Sequence, residues 1–237
     1  MFSHSDGNTE LGPASSSAPE LLTPTGQRLS LEYFVGWGGP SVVQLARAAL
    51  DFLGTDLRGR RVLEIGYGHG TMSCLFALLG ARVHAVDTHD VTRAEASTEA
   101  AKWGVLDRIQ FTRYSGDPRE IQEADFDIAF TKSVLLLVSD LEGFLRGLGT
   151  RLRPGARLAF IENGFHHPLD VLARRLSHWW HNNQAADYPG IRMYNWRLPI
   201  YLSAARVAVF RRVFEVQGVL RAQSPHWRLI EAFNPAS

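Results

Sequence analysis

The segment Gly66-Tyr67-Gly68-His69-Gly70 lies between an apolar run and a predicted helix, and its three glycines are the first candidates for chemistry. A glycine turn lets the chain bend sharply and lets a ligand approach the backbone, because no Cβ stands in the way. Turns of this kind between a strand and a helix are typical of nucleotide-binding and nucleoside-binding sites. For the segment taken alone, a tight turn without any ligand is the alternative.

Two aspartates follow the next two predicted strands. Asp87 ends the second strand about 20 residues after the glycines, where a carboxylate can accept hydrogen bonds from both hydroxyls of a ribose. Thr88 comes next and is expected at the edge of an adenine. Asp117 follows the third strand. Each aspartate alone could equally cap the helix after it, but their joint spacing from the glycine turn favours a nucleoside site.

The stretch Val62–Gly70 resembles the first motif of the class I S-adenosylmethionine-dependent methyltransferases almost position for position. Its glycines are spaced G-x-G-x-G after Glu64, whereas the dinucleotide fingerprint is G-x-G-x-x-G. Three later segments are also similar to motifs of this family: Gly116-Asp117, Phe126–Ser133 and Arg153–Gly155. The resemblance extends roughly from Gly59 to Glu162.

The resemblance implies S-adenosylmethionine as the cofactor. It implies that Glu64 anchors the glycine loop and meets the cationic amino-acid end of the cofactor, directly or through water. It also implies that Asp117 receives the adenine amino group. The cofactor-binding residues that we predict are Glu64, Gly66, Tyr67, Gly68, His69, Gly70, Asp87, Thr88, Gly116, Asp117 and Thr131.

The acceptor side is defined less sharply. Methyl transfer from a sulfonium is a direct displacement, so a general base is needed only when the acceptor must lose a proton. His166 and His167 lie just beyond the fifth strand and are candidate bases, although an exposed turn or helix start before Pro168 is the favoured explanation. The Asn/Asp-Pro-Pro-Tyr/Phe pattern is missing after the fourth strand, which argues against nucleobase and glutamine amide nitrogens as acceptors. At this position the chain has Lys132, which is either a pocket residue or a solvated surface residue.

The segment Gly164–Arg197 is rich in aromatic and basic residues. Its apolar positions recur at helical spacing, which is typical of a helix packed on the core or on a second subunit, as in a homodimer. The alternative is a cap over a bulky, apolar acceptor, with arginines near an anionic group or a membrane surface. The substrate pocket that we predict contains Tyr33, Trp37, Lys132, His166, Trp179 and Tyr194. His178 and His181 are too few to predict a zinc site, so no metal is expected.

These residues require an α/β scaffold that brings the ends of several strands together. Apolar runs of strand length alternate with helical patterns from Arg61 to Glu162, which predicts a parallel sheet with helices on both faces. Two closing strands, Phe214–Arg221 and Trp227–Phe233, are expected to be antiparallel neighbours. With the family resemblance, this implies a Rossmann-like, mostly parallel sheet of seven strands in the order 3-2-1-4-5-7-6, with an antiparallel last strand.

The chain divides into a tail and one domain. Residues 1–28 are rich in Ser, Pro, Gly and Thr and are predicted to form a flexible tail. Residues 29–237 are predicted to form a single methyltransferase domain. Within it we distinguish an N-terminal helical lid (29–58), a cofactor-binding core (59–163), a substrate-cap insertion (164–200), and a final helix with a β-hairpin (201–237).

Composition excludes several classes of protein. The formal net charge of +1 gives no reason to expect nucleic acid as a partner, although the basic stretch Arg174–Arg212 leaves RNA open. Cys74 is the only cysteine, so no internal disulfide is possible and a cytoplasmic location is predicted. No apolar run is long enough for a transmembrane segment.

The function that the sequence favours is methyl transfer from S-adenosylmethionine to a small molecule, with a bulky aromatic or apolar metabolite, as in secondary metabolism, as the expected acceptor. A nicotinamide-dependent oxidoreductase is the first alternative, but the glycine spacing and the lack of a Tyr-x-x-x-Lys pair disfavour it. The second alternative is a methyltransferase-like protein that binds without catalysing. Neither the identity of the acceptor nor the atom that is methylated follows from the sequence.

Overall fold

A computed structural model describes residues 8–11, 20–36, 39–90, 92–135, 138, 140–163, 204–222 and 227–235. The strands are β1 (Asn8–Glu10), β2 (Glu20–Leu22), β3 (Arg28–Ser30), β4 (Arg61–Ile65), β5 (Arg82–Asp87), β6 (Ile109–Arg113), β7 (Phe126–Lys132), β8 (Leu152–Asn163), β9 (Glu215–Arg221) and β10 (Trp227–Phe233). The helices are α1 (Leu31–Val35), α2 (Gly39–Leu53), α3 (Thr71–Leu78), α4 (Arg93–Lys102), α5 (Leu141–Gly149) and α6 (Ala204–Val213).

Eight strands form one twisted sheet in the order β1-β9-β10-β8-β7-β4-β5-β6. Strand β10 is antiparallel to its neighbours β8 and β9, and the other neighbouring pairs are parallel. The central strands are buried on both faces, which explains why they read as continuous apolar runs rather than alternating ones. The predicted α/β, Rossmann-like and mostly parallel fold is confirmed.

Helices cover both faces of the sheet. One apolar core lies under α1, α2, α3 and α4 and includes Phe34, Leu45, Phe76 and Phe130. The other core lies under α5 and α6 and includes Phe160 and Phe210, whose rings meet edge to face at 5.0 Å. Because strands β4 to β8 are parallel, their carboxyl ends lie at the same end of the sheet. A site can form there, between the helices that cover the two faces.

The number of strands differs from the prediction. The seven predicted strands take the predicted order, but β1 adds an eighth, paired in parallel with β9 at the sheet edge through Asn8↔Val219 and Glu10↔Arg221. Strand β1 lies within residues 1–28, which we expected to be a flexible tail. The hairpin β2–β3 also begins there, and its Leu21 and Leu29 are buried. Backbone pairing and the burial of these two leucines therefore give regular structure to parts of residues 1–28, although the composition of this segment predicts no regular structure.

Asp127, near the start of β7, connects the starts of β4 and β8 at the amino ends of the parallel strands. Its carboxylate accepts hydrogen bonds from the Arg61 backbone N–H at 2.7 Å and from Arg153 Nη1 at 2.6 Å, with Arg60 Nη1 at 3.4 Å. The Asp127 side chain is only 9% exposed, whereas the two guanidinium groups are about half exposed. This carboxylate therefore satisfies a buried amide as well as two arginines.

Replacing Asp127 with alanine is expected to lower the free energy of unfolding by about 2 kcal/mol, because the part-buried Arg61 N–H and the guanidinium groups of Arg60 and Arg153 lose this acceptor. Urea unfolding followed by circular dichroism measures the change. Asp107→Ala, at an exposed position, is the control and should stay within about 0.5 kcal/mol of the parent. Equal stability of the two variants would contradict this role for Asp127.

Candidate functional site at the carboxyl ends of the strands

The glycine turn connects β4 to α3. Gly66, Gly68 and Gly70 all have left-handed backbones, with φ of 80°, 50° and 76°, which glycine adopts without the strain that a Cβ would bring. The Gly66 N–H donates to the Val86 carbonyl of β5 at 2.7 Å, and the Gly70 N–H donates to the Tyr67 carbonyl at 2.8 Å. The predicted tight turn between a strand and a helix is therefore present.

The three glycines differ in what surrounds them. A Cβ on Gly66 would overlap Val134 Cγ2, and a Cβ on Gly70 would stand 2.8 Å from the Cβ of Ala96. A Cβ on Gly68 would meet no atom of the described residues within 4 Å. Gly66 and Gly70 are thus required by the packing of the protein itself, whereas Gly68 faces open space that a ligand can enter.

Asp87 ties the end of β5 to this turn. Its Oδ2 accepts a hydrogen bond from the Gly68 N–H at 3.1 Å, and its Oδ1 accepts one from the His89 N–H at 3.2 Å. The Asp87 side chain is 17% exposed, so the carboxylate supports the loop and remains reachable from the open space. Thr88 and Gly116 come together beside it, since a Cβ on Gly116 would lie 3.7 Å from Thr88 Cγ2.

Glu64 lies beneath the glycine turn, on the face of the sheet that α3 covers. It is 3% exposed, and its Oε2 accepts a short hydrogen bond from the Ser73 hydroxyl. Burial raises the pKa of Glu64 to about 8, and Asp87 adds to this, while the Ser73 hydrogen bond and Lys132 act in the opposite direction. Ser73 was missed by sequence reasoning, because its contact with Glu64 depends on how α3 packs on β4.

Lys132 and Thr71 hold α1 against the site. Lys132 Nζ donates to the Val35 carbonyl at 2.6 Å, and Thr71 Oγ1 donates to the Phe34 carbonyl at 2.7 Å. Burial lowers the pKa of Lys132, and the charge of Glu64 partly offsets this effect. The last carbonyls of the short helix α1 are thereby bound from β7 and α3, which fixes α1 beside the carboxyl ends of the strands, and the role of residues 29–58 as a lid stays a prediction.

The side chains of two predicted site residues bind α4 instead of pointing into the site. The Tyr33 hydroxyl donates to Glu99 and accepts from Lys102 Nζ at 2.8 Å, so its polar end is bound to α4. His69 Nδ1 lies 2.8 Å from Glu95 Oε2, also on α4 and exposed. These contacts place the polar ends of both side chains at the α4 surface.

Tyr67 is buried rather than open to a ligand. Its ring packs on Phe111 with 4.9 Å between centroids, and its hydroxyl has no hydrogen-bond partner among the described residues. Burial raises its pKa to about 12, with Asp87 and Asp90 contributing in the same direction. Its side chain belongs to the core beneath the turn, so only its backbone lies in the cradle.

Asp117 acts as a helix cap, the alternative that the sequence left open. It caps the 3-10 turn Pro118–Glu120, where its Oδ1 accepts from the Arg119 N–H at 3.0 Å. Both carboxylate oxygens also accept hydrogen bonds from the Arg119 side chain, and these contacts hold the pKa of Asp117 below its usual range. An adenine amino group would share this carboxylate with Arg119.

Thr131 and Glu162 organise the loop that follows β7. Thr131 is fully buried and its hydroxyl donates to Glu162 Oε1 at 3.1 Å. The same oxygen accepts the Val134 N–H at 3.0 Å and the Leu135 N–H at 3.1 Å. Glu162 was not predicted as a site residue, although an acidic residue at the end of a buried strand was a usable signal.

Five predicted pocket or catalytic residues, Trp37, His166, His167, Trp179 and Tyr194, lie outside the described residues, as does the insertion 164–200. Their roles remain predictions. Within the described ranges, no helix has the length and apolar character needed to cross a membrane. In the same part of the chain, no group of three or more His, Cys, Asp or Glu residues is arranged to hold a metal ion.

Comparison with known proteins finds similarity to methyltransferases in the centre of the chain. Residues 63–160 match the family model described as a methyltransferase domain. A ubiquinone biosynthesis O-methyltransferase of Rhizobium etli is 33% identical over 164 residues, which cover 64% of this chain and 61% of the relative. A ribosomal protein L11 methyltransferase of Methylococcus capsulatus is 36% identical over 104 residues, which cover 44% of this chain and 33% of the relative. The chain thus spans less than two thirds of the length of these relatives.

Solved structures share the fold at low sequence identity. A geranyl diphosphate methyltransferase in complex with SAM matches with a TM-score of 0.60 and 14% identity, covering 84% of this chain and 92% of that protein. A SAM-dependent methyltransferase from Aquifex aeolicus matches with a TM-score of 0.58 and 18% identity, covering 86% and 96%. The [4+2]-cyclase SpnF matches with a TM-score of 0.64 and 16% identity, covering 86% and 84%. The scaffold predicted from the motif resemblance is confirmed.

Proposed function

We propose that this chain, whose residues 63–160 match a methyltransferase-domain model, is a class I enzyme that transfers a methyl group from S-adenosylmethionine to a small-molecule acceptor. One observation carries the proposal: the Asp87 carboxylate binds the Gly68 N–H beside a space that no side chain of the described residues fills. A reachable carboxylate next to a bare glycine backbone suits a ribose with two neighbouring hydroxyls.

The described residues fit this cofactor at both of its ends. Asp87 would accept the ribose hydroxyls, and the Gly68 backbone would let the nucleoside lie close to the turn. Glu64 would face the cationic amino-acid end, since it is the buried carboxyl directly beneath the turn. When bound, the cofactor supplies an electrophilic methyl group on a sulfonium, and the protein's task is to align the acceptor and exclude water.

The acceptor in this proposal is a bulky aromatic or apolar metabolite. Two similar proteins support this choice. One is a relative described as a ubiquinone biosynthesis O-methyltransferase, and the other is a structural neighbour described as a geranyl diphosphate methyltransferase. The helix α1, whose Phe34 and Val35 carbonyls accept hydrogen bonds from Thr71 and Lys132, would lie beside the acceptor. The single cysteine supports a cytoplasmic location. The aromatic insertion supports a homodimer, peripheral membrane contact and a role in secondary metabolism.

Isothermal titration calorimetry tests the proposed cofactor directly. We expect S-adenosylmethionine and its demethylated product S-adenosylhomocysteine to bind, and NADH to give no heat at the same concentrations. Absence of S-adenosylmethionine binding at millimolar concentration would contradict the proposal, and NADH binding would favour the oxidoreductase. Transfer of a labelled methyl group in a screen of aromatic and isoprenoid metabolites then separates a catalyst from a protein that only binds.

Cofactor binding is expected to release a proton near neutral pH. Burial raises the pKa of Glu64 to about 8 although Lys132 is near, so it is mostly protonated at pH 7. An ammonium group placed beside it favours the carboxylate and lowers this pKa, so the affinity for S-adenosylmethionine should rise as pH increases from 6 toward 8. The neighbouring charges are Lys132 and Asp87, and of these only Lys132 opposes protonation.

Calorimetry in buffers with different ionisation enthalpies measures the number of protons released. About one proton per cofactor is the upper limit if Glu64 is the source. Glu64→Gln should abolish both the release and the pH dependence of affinity. An unchanged pH dependence in that variant would show that another group titrates.

A further inference from the structure

A cavity of about 310 Å³ lies at the amino ends of the parallel strands. It is enclosed by the loop after α2, the starts of β7 and β8, and the end of the antiparallel strand β10. The glycine turn and Asp87 lie at the carboxyl ends of the same sheet, so this cavity is separate from the proposed cofactor site. Small-molecule sites have volumes of roughly 300 to 1,000 Å³, so the cavity is large enough for a small ligand.

Three arginines line this cavity, and the contacts of each are made by a single nitrogen. Arg60 Nη1 and Arg153 Nη1 lie 3.4 and 2.6 Å from Asp127 Oδ1. Arg157 Nη1 donates to the Phe52 carbonyl at the end of α2, at 2.8 Å. A guanidinium group has five N–H donors. Within the described part of the chain, Nε and Nη2 of these three side chains donate to no other residue, so they remain available to a ligand.

The charges around the cavity leave an excess of positive charge. Asp56 and Asp127 are the acidic side chains among the described residues that line it. Asp56 is already bound by the neighbouring Arg58, whose guanidinium group donates to both of its carboxylate oxygens. The Asp127 carboxylate is therefore left to face three arginines. An anion with two negative charges would balance this excess.

The rest of the lining is apolar or glycine. Its large side chains are those of Leu53, Leu57, Ile128 and Phe233. The first three of these are buried, so they form a fixed wall rather than a mobile surface. A cavity that combines several guanidinium groups with an apolar wall suits a ligand in which an anionic group is joined to an apolar part.

We propose that this cavity is a second binding site, which takes a small organic phosphate. The phosphate oxygens would accept hydrogen bonds from Nε and Nη2 of Arg60, Arg153 and Arg157, and the organic part would contact the apolar wall. A phosphate suits the site better than a carboxylate, because it presents three oxygens and about two negative charges at pH 7 to guanidinium groups that bind it through paired hydrogen bonds. The inference does not rest on the proposed function, because no residue of the cofactor cradle takes part.

Titration calorimetry with phenyl phosphate tests the inference, in about 0.15 M salt so that weak surface attraction is screened. We expect saturable binding of a single equivalent. Benzoate, which carries a carboxylate on the same ring, should bind about tenfold more weakly. Arg153→Gln and Arg60→Gln should each weaken the binding of phenyl phosphate about tenfold, which corresponds to the loss of one hydrogen bond between charged groups.

Arg82→Gln is the matched control. Arg82 is exposed at the amino end of β5 and does not line the cavity, so this variant loses the same charge without losing a contact to the ligand. It should bind phenyl phosphate within about twofold of the parent protein. Thermal unfolding shows whether each variant stays folded, and if Arg153→Gln does not fold, the affinity of Arg60→Gln decides.

Three results would each overturn the inference: no binding of phenyl phosphate at millimolar concentration, equal affinity for benzoate, or an equal loss of affinity in Arg82→Gln. An excess of S-adenosylhomocysteine should leave the affinity for phenyl phosphate unchanged, because the two sites lie at opposite ends of the sheet. Competition between the two ligands would place phenyl phosphate in the cofactor cradle and would also overturn the inference. If S-adenosylhomocysteine does not bind but phenyl phosphate does, the proposed function fails and this inference stands.

Discussion

Asp87→Asn is expected to weaken binding of S-adenosylmethionine by about a hundredfold, or about 2.7 kcal/mol. The Asp87 carboxylate accepts from two backbone N–H groups, those of Gly68 and His89. An asparagine amide would present an NH₂ group to one of these donors, so the glycine turn would lose one of its supports. The amide also replaces a charged acceptor of the ribose hydroxyls, and charge-assisted hydrogen bonds are the stronger ones.

Calorimetry with S-adenosylhomocysteine measures the affinity, and thermal unfolding in parallel shows whether the variant stays folded. Asp90→Asn is the matched control, because Asp90 follows the same strand but is exposed. It should bind within about threefold of the parent protein. Equal affinity of the two variants would show that Asp87 does not contact the cofactor.

Gly66→Ala is expected mainly to destabilise the fold, whereas Gly68→Ala is expected mainly to weaken cofactor binding. Both positions have left-handed backbones, which costs an alanine roughly 1 kcal/mol. At Gly66 the added Cβ also overlaps Val134, whose β-branched side chain is stiff and whose N–H is held by Glu162 at 3.0 Å. We therefore expect Gly66→Ala to lose about 3 kcal/mol or more of unfolding free energy.

Gly68→Ala should fold almost normally and bind poorly. Its Cβ meets no atom of the described residues within 4 Å, so the backbone strain is the main cost to folding, and the methyl group enters the space proposed for the nucleoside. A loss of at least tenfold in affinity is expected, with about 1 kcal/mol lost in stability. Gly155→Ala, with φ of 73° and no neighbour within 4 Å, measures the cost of the backbone alone.

Chemical unfolding and calorimetry on the three variants give the comparison. If Gly68→Ala keeps the affinity of the parent, the open space over this glycine is not the ligand site. If Gly66→Ala is as stable as Gly155→Ala, the loop that carries Val134 is not held as described. Either result can be obtained independently of the other.

Much of the cofactor half of the site could be predicted from the chain because its signals are local. The left-handed backbones of this turn fall on glycines, which the sequence shows directly: Gly66, Gly68 and Gly70. An acidic residue that ends a buried strand is equally visible, and Asp87 indeed reaches the turn. Where one residue had two local uses, as Asp117 did, the sequence could not choose between the cap and the ligand.

The prediction of residues 1–28 as a flexible tail shows the opposite case. Strand β1 is only three residues long and carries no apolar pattern, so nothing local marks it. Its order comes from the free edge of β9, which offers unpaired backbone groups to any chain that can reach it. The composition of residues 1–28 does not reveal that β9 will offer a free edge, because this edge exists only after the sheet has formed.

By itself, the sequence determined the alternation of strands and helices, the left-handed glycine turn and the carboxylate that supports it, because each depends on residues close together in the chain. The tertiary structure alone decided that Ser73 binds Glu64, that Glu162 holds the loop after β7, and that Lys132 meets α1. The partners of Glu162 and Lys132 are 28 and 97 residues away, and whether such groups meet depends on strand register and helix packing. For the same reason Tyr33, expected in the pocket, binds Glu99 on α4 instead.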